Sequence, residues 1–122
     1  MEIYKCNNCG NVIEVHVKGR GQLACWEKPM VKLQELSGNE GNEKHKPVIE
    51  KTEKGIIVKV GSIPHPMTKE HSIKFIQVEH NGCTHTKYLE STQTPEAEFN
   101  IKYSEELKAK EYCNLHGLWA NK

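Results

Sequence analysis

Cys113 and His116 stand three residues apart in the segment Cys113-Asn114-Leu115-His116. A cysteine and a histidine at that spacing can bind one metal ion from a tight turn, because the chain reverses between the ligands. Taken alone, the pair is equally well read as a half-buried cysteine beside a solvated histidine. Three further histidines change the balance. His65 lies between Pro64 and Pro66, which restrict the backbone around it and so lower the entropic cost of ordering a ligand. His71 follows six residues later, and His45 comes just after a polar, glycine-bearing stretch. Each of these alone is best read as a solvated loop residue. Four histidines and a cysteine, all near expected strand ends, favour a shared metal. Imidazole suits several first-row metals, among them zinc, copper, iron and nickel, and thiolate is a soft, strongly donating ligand.

A second group of thiols opens the chain. Cys6-Asn7-Asn8-Cys9-Gly10 is a CxxC turn closed by glycine, and Cys25 returns toward it after the Gly19-Arg20-Gly21 turn. Cys83, beside Asn81-Gly82, reads as a free surface thiol.

The elements that must position these groups read mostly as β. Val12 to Val15 is a short strand candidate, and Ile56, Val58 and Val60 fall on one face of another. Residues 72–80 read as a strand ending at His80-Asn81-Gly82, with Thr84 to Leu89 as the return strand. Asn-Gly between two such runs is a strong hairpin signal, since both residues tolerate positive φ. Residues 97–103 alternate, with Ala97, Phe99, Ile101 and Tyr103 inward. Residues 104–112 are ambiguous between the start of a helix at Ser104 and a last strand near Tyr112. Short strands at this spacing predict an antiparallel sandwich. The expected division is a cysteine-bearing unit over 1–35, a linker or mobile loop over 36–44, and a β domain over 45–122.

Composition narrows the function classes. The 122 residues carry 17 basic and 16 acidic side chains, a formal net charge of +1, without a basic run interleaved with aromatics. That argues against nucleic-acid binding. No apolar run is long enough for a membrane span, and the N-terminus has no signal-peptide h-region. A reducing cytoplasm is the expected compartment. Five cysteines there read as metal ligands or reactive thiols rather than disulfides.

The segments Glu43-Lys44-His45-Lys46-Pro47-Val48-Ile49-Glu50, Gly61-Ser62-Ile63-Pro64-His65-Pro66-Met67 and Glu111-Tyr112-Cys113-Asn114-Leu115-His116-Gly117-Leu118-Trp119 resemble the superoxide reductase family in its two-domain, desulfoferrodoxin form. The CxxC unit is similar to the small desulforedoxin-like domain of that form. The resemblance implies an immunoglobulin-like β-sandwich holding one mononuclear iron. Its equatorial ligands would be His45, His65, His71 and His116, and its axial ligand Cys113. The open sixth position would take superoxide, which one electron and two protons convert to hydrogen peroxide without dioxygen.

By the same resemblance, Lys44 draws the anion in and helps to protonate it, and Glu43 occupies the open position in the oxidised state. Without the resemblance, Lys44 reads as a solvated linker lysine. His16, His80 and His85 match no motif and read as surface residues. The resemblance further implies a rubredoxin-like electron donor and a homodimer. Backbone N–H groups of Leu115 and His116 are expected to donate to the Cys113 sulfur.

The N-terminal unit departs from its pattern. The family site holds iron with four cysteines, and Trp26 stands where the fourth would be. Three thiolates cannot complete a tetrahedral site without water, another side chain or a partner subunit. Cys6, Cys9 and Cys25 are therefore expected to form an empty or weakly metallated site, with His16 the nearest candidate to complete it. Two rival readings stay open at this point. One is an electron carrier with a closed iron sphere. The other is a non-catalytic module stabilised by zinc, for which His45, His65 and His71 would be superfluous.

Overall fold

The computed structural model describes residues 2–37, 42–61 and 66–122, and omits the side chains of 42 and 43. The chain falls into two compact units, Met1–Gln34 and Glu35–Lys122. The strand that opens the second unit lies where the sequence suggests the end of the first and the start of a linker.

In the first unit, β1 (Glu2–Lys5) pairs antiparallel with β2 (Val12–Val15) and with β5 (Val31–Lys32). A separate hairpin joins β3 (Ala24–Cys25) to β4 (Lys28–Pro29). Val12 to Val15 is thus a strand, as the sequence suggests.

The second unit is a β-sandwich. One sheet has the order β10-β9-β12-β13-β6 and the other β11-β8-β7. The strands are β6 (Glu35–Leu36), β7 (Pro47–Lys51), β8 (Ile56–Val60), β9 (Ile73–His80), β10 (Cys83–Tyr88), β11 (Glu96–Phe99), β12 (Lys108–Cys113) and β13 (Gly117–Ala120). A single helical turn, α1 (Asn42–His45), precedes β7. The core lies between the sheets. Ile56, Val58 and Val60 of β8 meet Ile76 and Val78 of β9, Phe99 of β11 and Ala109 and Cys113 of β12. Gly55 enters β8 where a Cβ would lie 2.4 Å from the Phe99 carbonyl oxygen, so no larger residue fits that approach.

The β9–β10 hairpin turns at Asn81 and Gly82, both at positive φ (47° and 76°), as the Asn-Gly pair predicts. Three local expectations change. The strand over 97–103 ends at Phe99, and Tyr103 is exposed while Ile101 stays buried. Ser104 opens a turn, its carbonyl and hydroxyl taking the N–H groups of Leu107 and Glu106, and β12 follows directly. The sandwich also contains one parallel pair, β13 with β6.

Candidate metal centre

His45 ends the α1 turn, His71 sits one residue before Ser72 and β9, and Cys113 ends β12. His116 lies in the reversal between β12 and β13, where Cys113 pairs with Gly117 and Gly117 takes φ of 90°. These four residues come from three separate segments of the chain and are brought together at one cluster. Their ligand atoms all lie within 4.8 Å of one another.

The distances show what such a cluster is suited to hold. His45 Nε2 is 3.0 Å from His116 Nδ1, and His71 Nε2 is 3.1 Å from the same atom. Cys113 Sγ is 3.7 Å from it. A single ring nitrogen cannot share a proton with three neighbours at once, so several lone pairs face a common point. A metal cation satisfies all of them. Two nitrogens each bound at about 2.1 Å and at right angles to one another lie about 3.0 Å apart, which is the spacing seen. Burial, then the nearby His45 and His71, lower the pKa of His116 from its ordinary value, which favours the neutral imidazole. Burial pushes the Cys113 thiol up, while N–H bonds from Leu115 and His116 to its sulfur pull the other way. That is the pattern expected around this turn.

The supporting contacts are specific. Thr68 closes the loop before His71: its N–H donates to the His71 carbonyl at 2.9 Å, and its hydroxyl accepts the His71 N–H at 3.0 Å. Asn114 joins that loop to the Cys113–His116 turn, accepting the Ser72 N–H at 3.0 Å and donating to the Glu70 carbonyl at 2.9 Å. The Trp119 indole stacks on His45 with ring centroids 5.0 Å apart, and its N–H donates to the His116 carbonyl at 3.0 Å. Glu111 is buried with no hydrogen-bond partner among the described residues, and burial raises its carboxyl well above the usual range. Sequence reading assigned no role to Asn114, Trp119 or Glu111. Only the short spacing of Asn114 and Glu111 from Cys113 pointed toward them.

The other expected site residues divide clearly. Lys44 is exposed, adjacent to His45 on the α1 turn. His65 lies outside the described residues, as does the side chain of Glu43. His16 is exposed, and His80 and His85 are half-buried beside the β9–β10 turn.

In the first unit, Cys6, Cys9 and Cys25 bring their sulfurs within 4.8 Å of one another, with Cys9 and Cys25 at 3.4 Å. Among the described residues no fourth histidine, cysteine or carboxylate joins them, so His16 does not complete the set. An N–H bond from Cys9, together with weaker donors, lowers the Cys6 thiol to about 7. Contacts with Cys9 and then Cys6 push Cys25 up to about 12.

Residues 37–122 match the desulfoferrodoxin family, and residues 1–33 match the N-terminal domain of desulfoferrodoxin. The chain belongs to the desulfoferrodoxin family. It is 47% identical over 119 residues to a desulfoferrodoxin homologue of Archaeoglobus fulgidus, covering 98% of this chain and 94% of the relative. It is 49% identical over 121 residues to the desulfoferrodoxin of Syntrophotalea carbinolica, covering 99% and 95%. Among solved structures it resembles the superoxide reductase from Treponema pallidum, with a TM-score of 0.76 and 27% identity over 99% of this chain and 96% of that one. The chain is all-β and carries a cluster of three histidines and a cysteine suited to a metal. No helix among its described residues is long and apolar enough to cross a membrane.

Proposed function

We propose that this chain is a superoxide reductase with one mononuclear iron, held by His45, His65, His71, His116 and Cys113. The observation that carries the reading is the convergence of His45, His71 and His116 on the side of Cys113, in a chain whose structural relative is a superoxide reductase. Iron held there would supply one electron, with which superoxide and two protons would become hydrogen peroxide without dioxygen.

The chain's own residues do the rest. Neutral imidazoles and one thiolate leave ferrous iron with a formal charge of about +1, which favours an anionic substrate. Lys44, exposed beside His45, adds a second positive charge at the approach and a proton donor near the bound anion. His116 is exposed, so water reaches the site and can deliver the second proton. Glu43 would supply a carboxylate ligand to the oxidised iron. The N–H groups of Leu115 and His116 hold the Cys113 sulfur in place and temper its donation.

The electron comes from a rubredoxin or similar small iron protein, and the protein works in the cytoplasm as a homodimer. Metal analysis with visible spectroscopy tests the centre. One iron in the second unit and a thiolate-to-ferric absorption band, abolished by Cys113→Ser, are expected. Zinc alone at these ligands would contradict the proposal.

A further inference from the structure

The thiols of the first unit do not fit the four-thiolate iron site that the family resemblance implies. Position 26 is a tryptophan, 80% exposed, and no other donor among the described residues replaces the missing thiolate. Yet the three remaining sulfurs are gathered by two well-built turns. In the first turn, the Gly10 N–H donates to the Cys6 carbonyl at 2.9 Å with Gly10 at φ of 83°, and the Cys6 N–H donates to the Asn11 carbonyl at 2.8 Å. In the second, Cys25 pairs with Lys28 across Trp26 and Glu27, which take φ of 55° and 64°.

Positive φ is unfavourable for any residue but glycine and a few short polar ones, and a tryptophan there is an outlier. This hairpin keeps that conformation and with it the inward aim of Cys25. Strained backbone persists where surrounding interactions hold it, and a ligand bridging the two turns is such an interaction.

We propose that Cys6, Cys9 and Cys25 bind one redox-inert, thiophilic divalent ion of the zinc class through three thiolates, with solvent at the fourth position. Two sulfurs bound at about 2.3 Å on tetrahedral corners lie about 3.8 Å apart. The sulfurs here span that value, from 3.4 Å for Cys9 and Cys25 to no more than 4.8 Å for any pair. Cys6 is buried, Cys25 half-buried and Cys9 exposed, so the bowl of sulfurs opens toward water on one side. Zinc accepts three protein ligands plus water, as in open zinc sites. It also outcompetes ferrous iron at a given donor set in the usual affinity order. Three thiols rather than two argue against a disulfide as the resting state, since any pairing strands the third. The inference concerns the first unit and does not depend on the chemistry proposed for the second.

The test uses the full-length, iron-loaded, reduced protein, titrated with Zn²⁺ alone against a chromophoric chelator. One zinc per chain should bind beyond the iron. Cd²⁺ alone should produce a sulfur-to-metal absorption in the ultraviolet. Cys9→Ser changes an exposed residue and should weaken binding about a hundredfold or more. Cys83→Ser removes an exposed thiol outside the triad and should leave binding unchanged. Far-ultraviolet circular dichroism reports that each variant has folded. Absence of zinc binding beyond the iron, or binding that survives Cys9→Ser, overturns the proposal. So does a thiol count showing two of the triad already oxidised under reducing conditions.

Discussion

The side-chain amide oxygen of Asn114 accepts the backbone N–H of Ser72 at 3.0 Å. The Asn114 N–H in turn reaches the Ser72 carbonyl at 3.3 Å, so the two residues are joined in both directions. Ser72 follows His71, and Asn114 follows Cys113. The pair therefore fixes the distance between two ligands that come from separate elements. Second-layer contacts of this kind set ligand orientation and metal retention.

Asn114→Ala should remove the two side-chain bonds while leaving every proposed ligand in place. Iron release to a strong chelator should accelerate about 10- to 100-fold. Stability should fall by about 1–3 kcal/mol, the cost of leaving the N–H of the buried Ser72 unsatisfied. Release kinetics and a urea titration check both effects. Wild-type release from this variant would mean that the clamp does not position His71.

Lys44 is exposed and adjacent to His45, so its part in the proposed reaction is electrostatic. Lys44→Ala should slow the reaction of the reduced protein with superoxide about tenfold or more, with iron content unchanged. The wild-type rate should fall with rising ionic strength more steeply than the variant's. Equal rates and equal salt slopes would remove Lys44 from the mechanism.

His65 lies outside the described residues, and its place among the ligands comes from the resemblance of Pro64-His65-Pro66 to the family motif. His65→Ala should retain the thiolate-to-ferric band, displaced in energy, because Cys113 is intact. Iron affinity should fall by about tenfold or more. An unaltered spectrum and affinity would exclude His65 from the coordination sphere.

Lys110 is buried at 3% exposure and pairs with Glu35 at 3.0 Å and Glu79 at 2.9 Å. Lys108 also bonds Glu35. Burial works against the Glu35 carboxylate, but the two lysines outweigh it and hold the group below its ordinary 4.5. Its contribution is therefore complete above about pH 4.5 and is lost as pH falls through the lower, folded value. Burial likewise opposes the Lys110 ammonium, yet Glu79 and Glu35 hold it above its ordinary 10.5. That contribution is complete below about pH 10.5 and is lost as pH rises through the folded value.

Denaturant titrations across pH should accordingly show a plateau between these limits. Glu35→Gln should flatten the acid limb. Lys110→Ala should lower stability by about 1 kcal/mol at neutral pH, because it removes the ammonium that pairs with the partly exposed carboxylates of Glu35 and Glu79. An acid limb unchanged by Glu35→Gln would contradict the assignment.

What the sequence revealed depended on whether a feature was local. Ile56, Val58 and Val60 alternate in the chain and are buried together in β8, because a strand half in the core must alternate. Asn81-Gly82 marks its hairpin because few other pairs tolerate two positive φ values. Cys113 and His116 sit on one turn, so their spacing makes a ligand pair one of two local readings, and the other histidines tip the balance.

Non-local features were not legible in the same way. The pairing of β6 with β13 rests on Glu35, whose partners Lys108 and Lys110 are more than seventy positions away. A buried lysine in β12 reads as surface until those carboxylates are placed beside it. The Ser104 segment has helix-start residues, yet the chain must enter β12 at once, and sheet pairing overrides the local preference. The Asn114 clamp and the Trp119 stack on His45 join segments that only the fold brings together. Trp26 announced a missing thiolate, but its positive φ could not be read from its type.

The central claim is a division of labour in which imidazoles and one thiolate hold a metal that gives superoxide a single electron. Its most direct test mixes fully reduced, iron-loaded protein with a known amount of superoxide and counts products before any donor is added. The account predicts one hydrogen peroxide formed and one centre oxidised for each superoxide consumed, with no dioxygen released. Half as much peroxide accompanied by dioxygen, or superoxide decay no faster than in buffer, would contradict it.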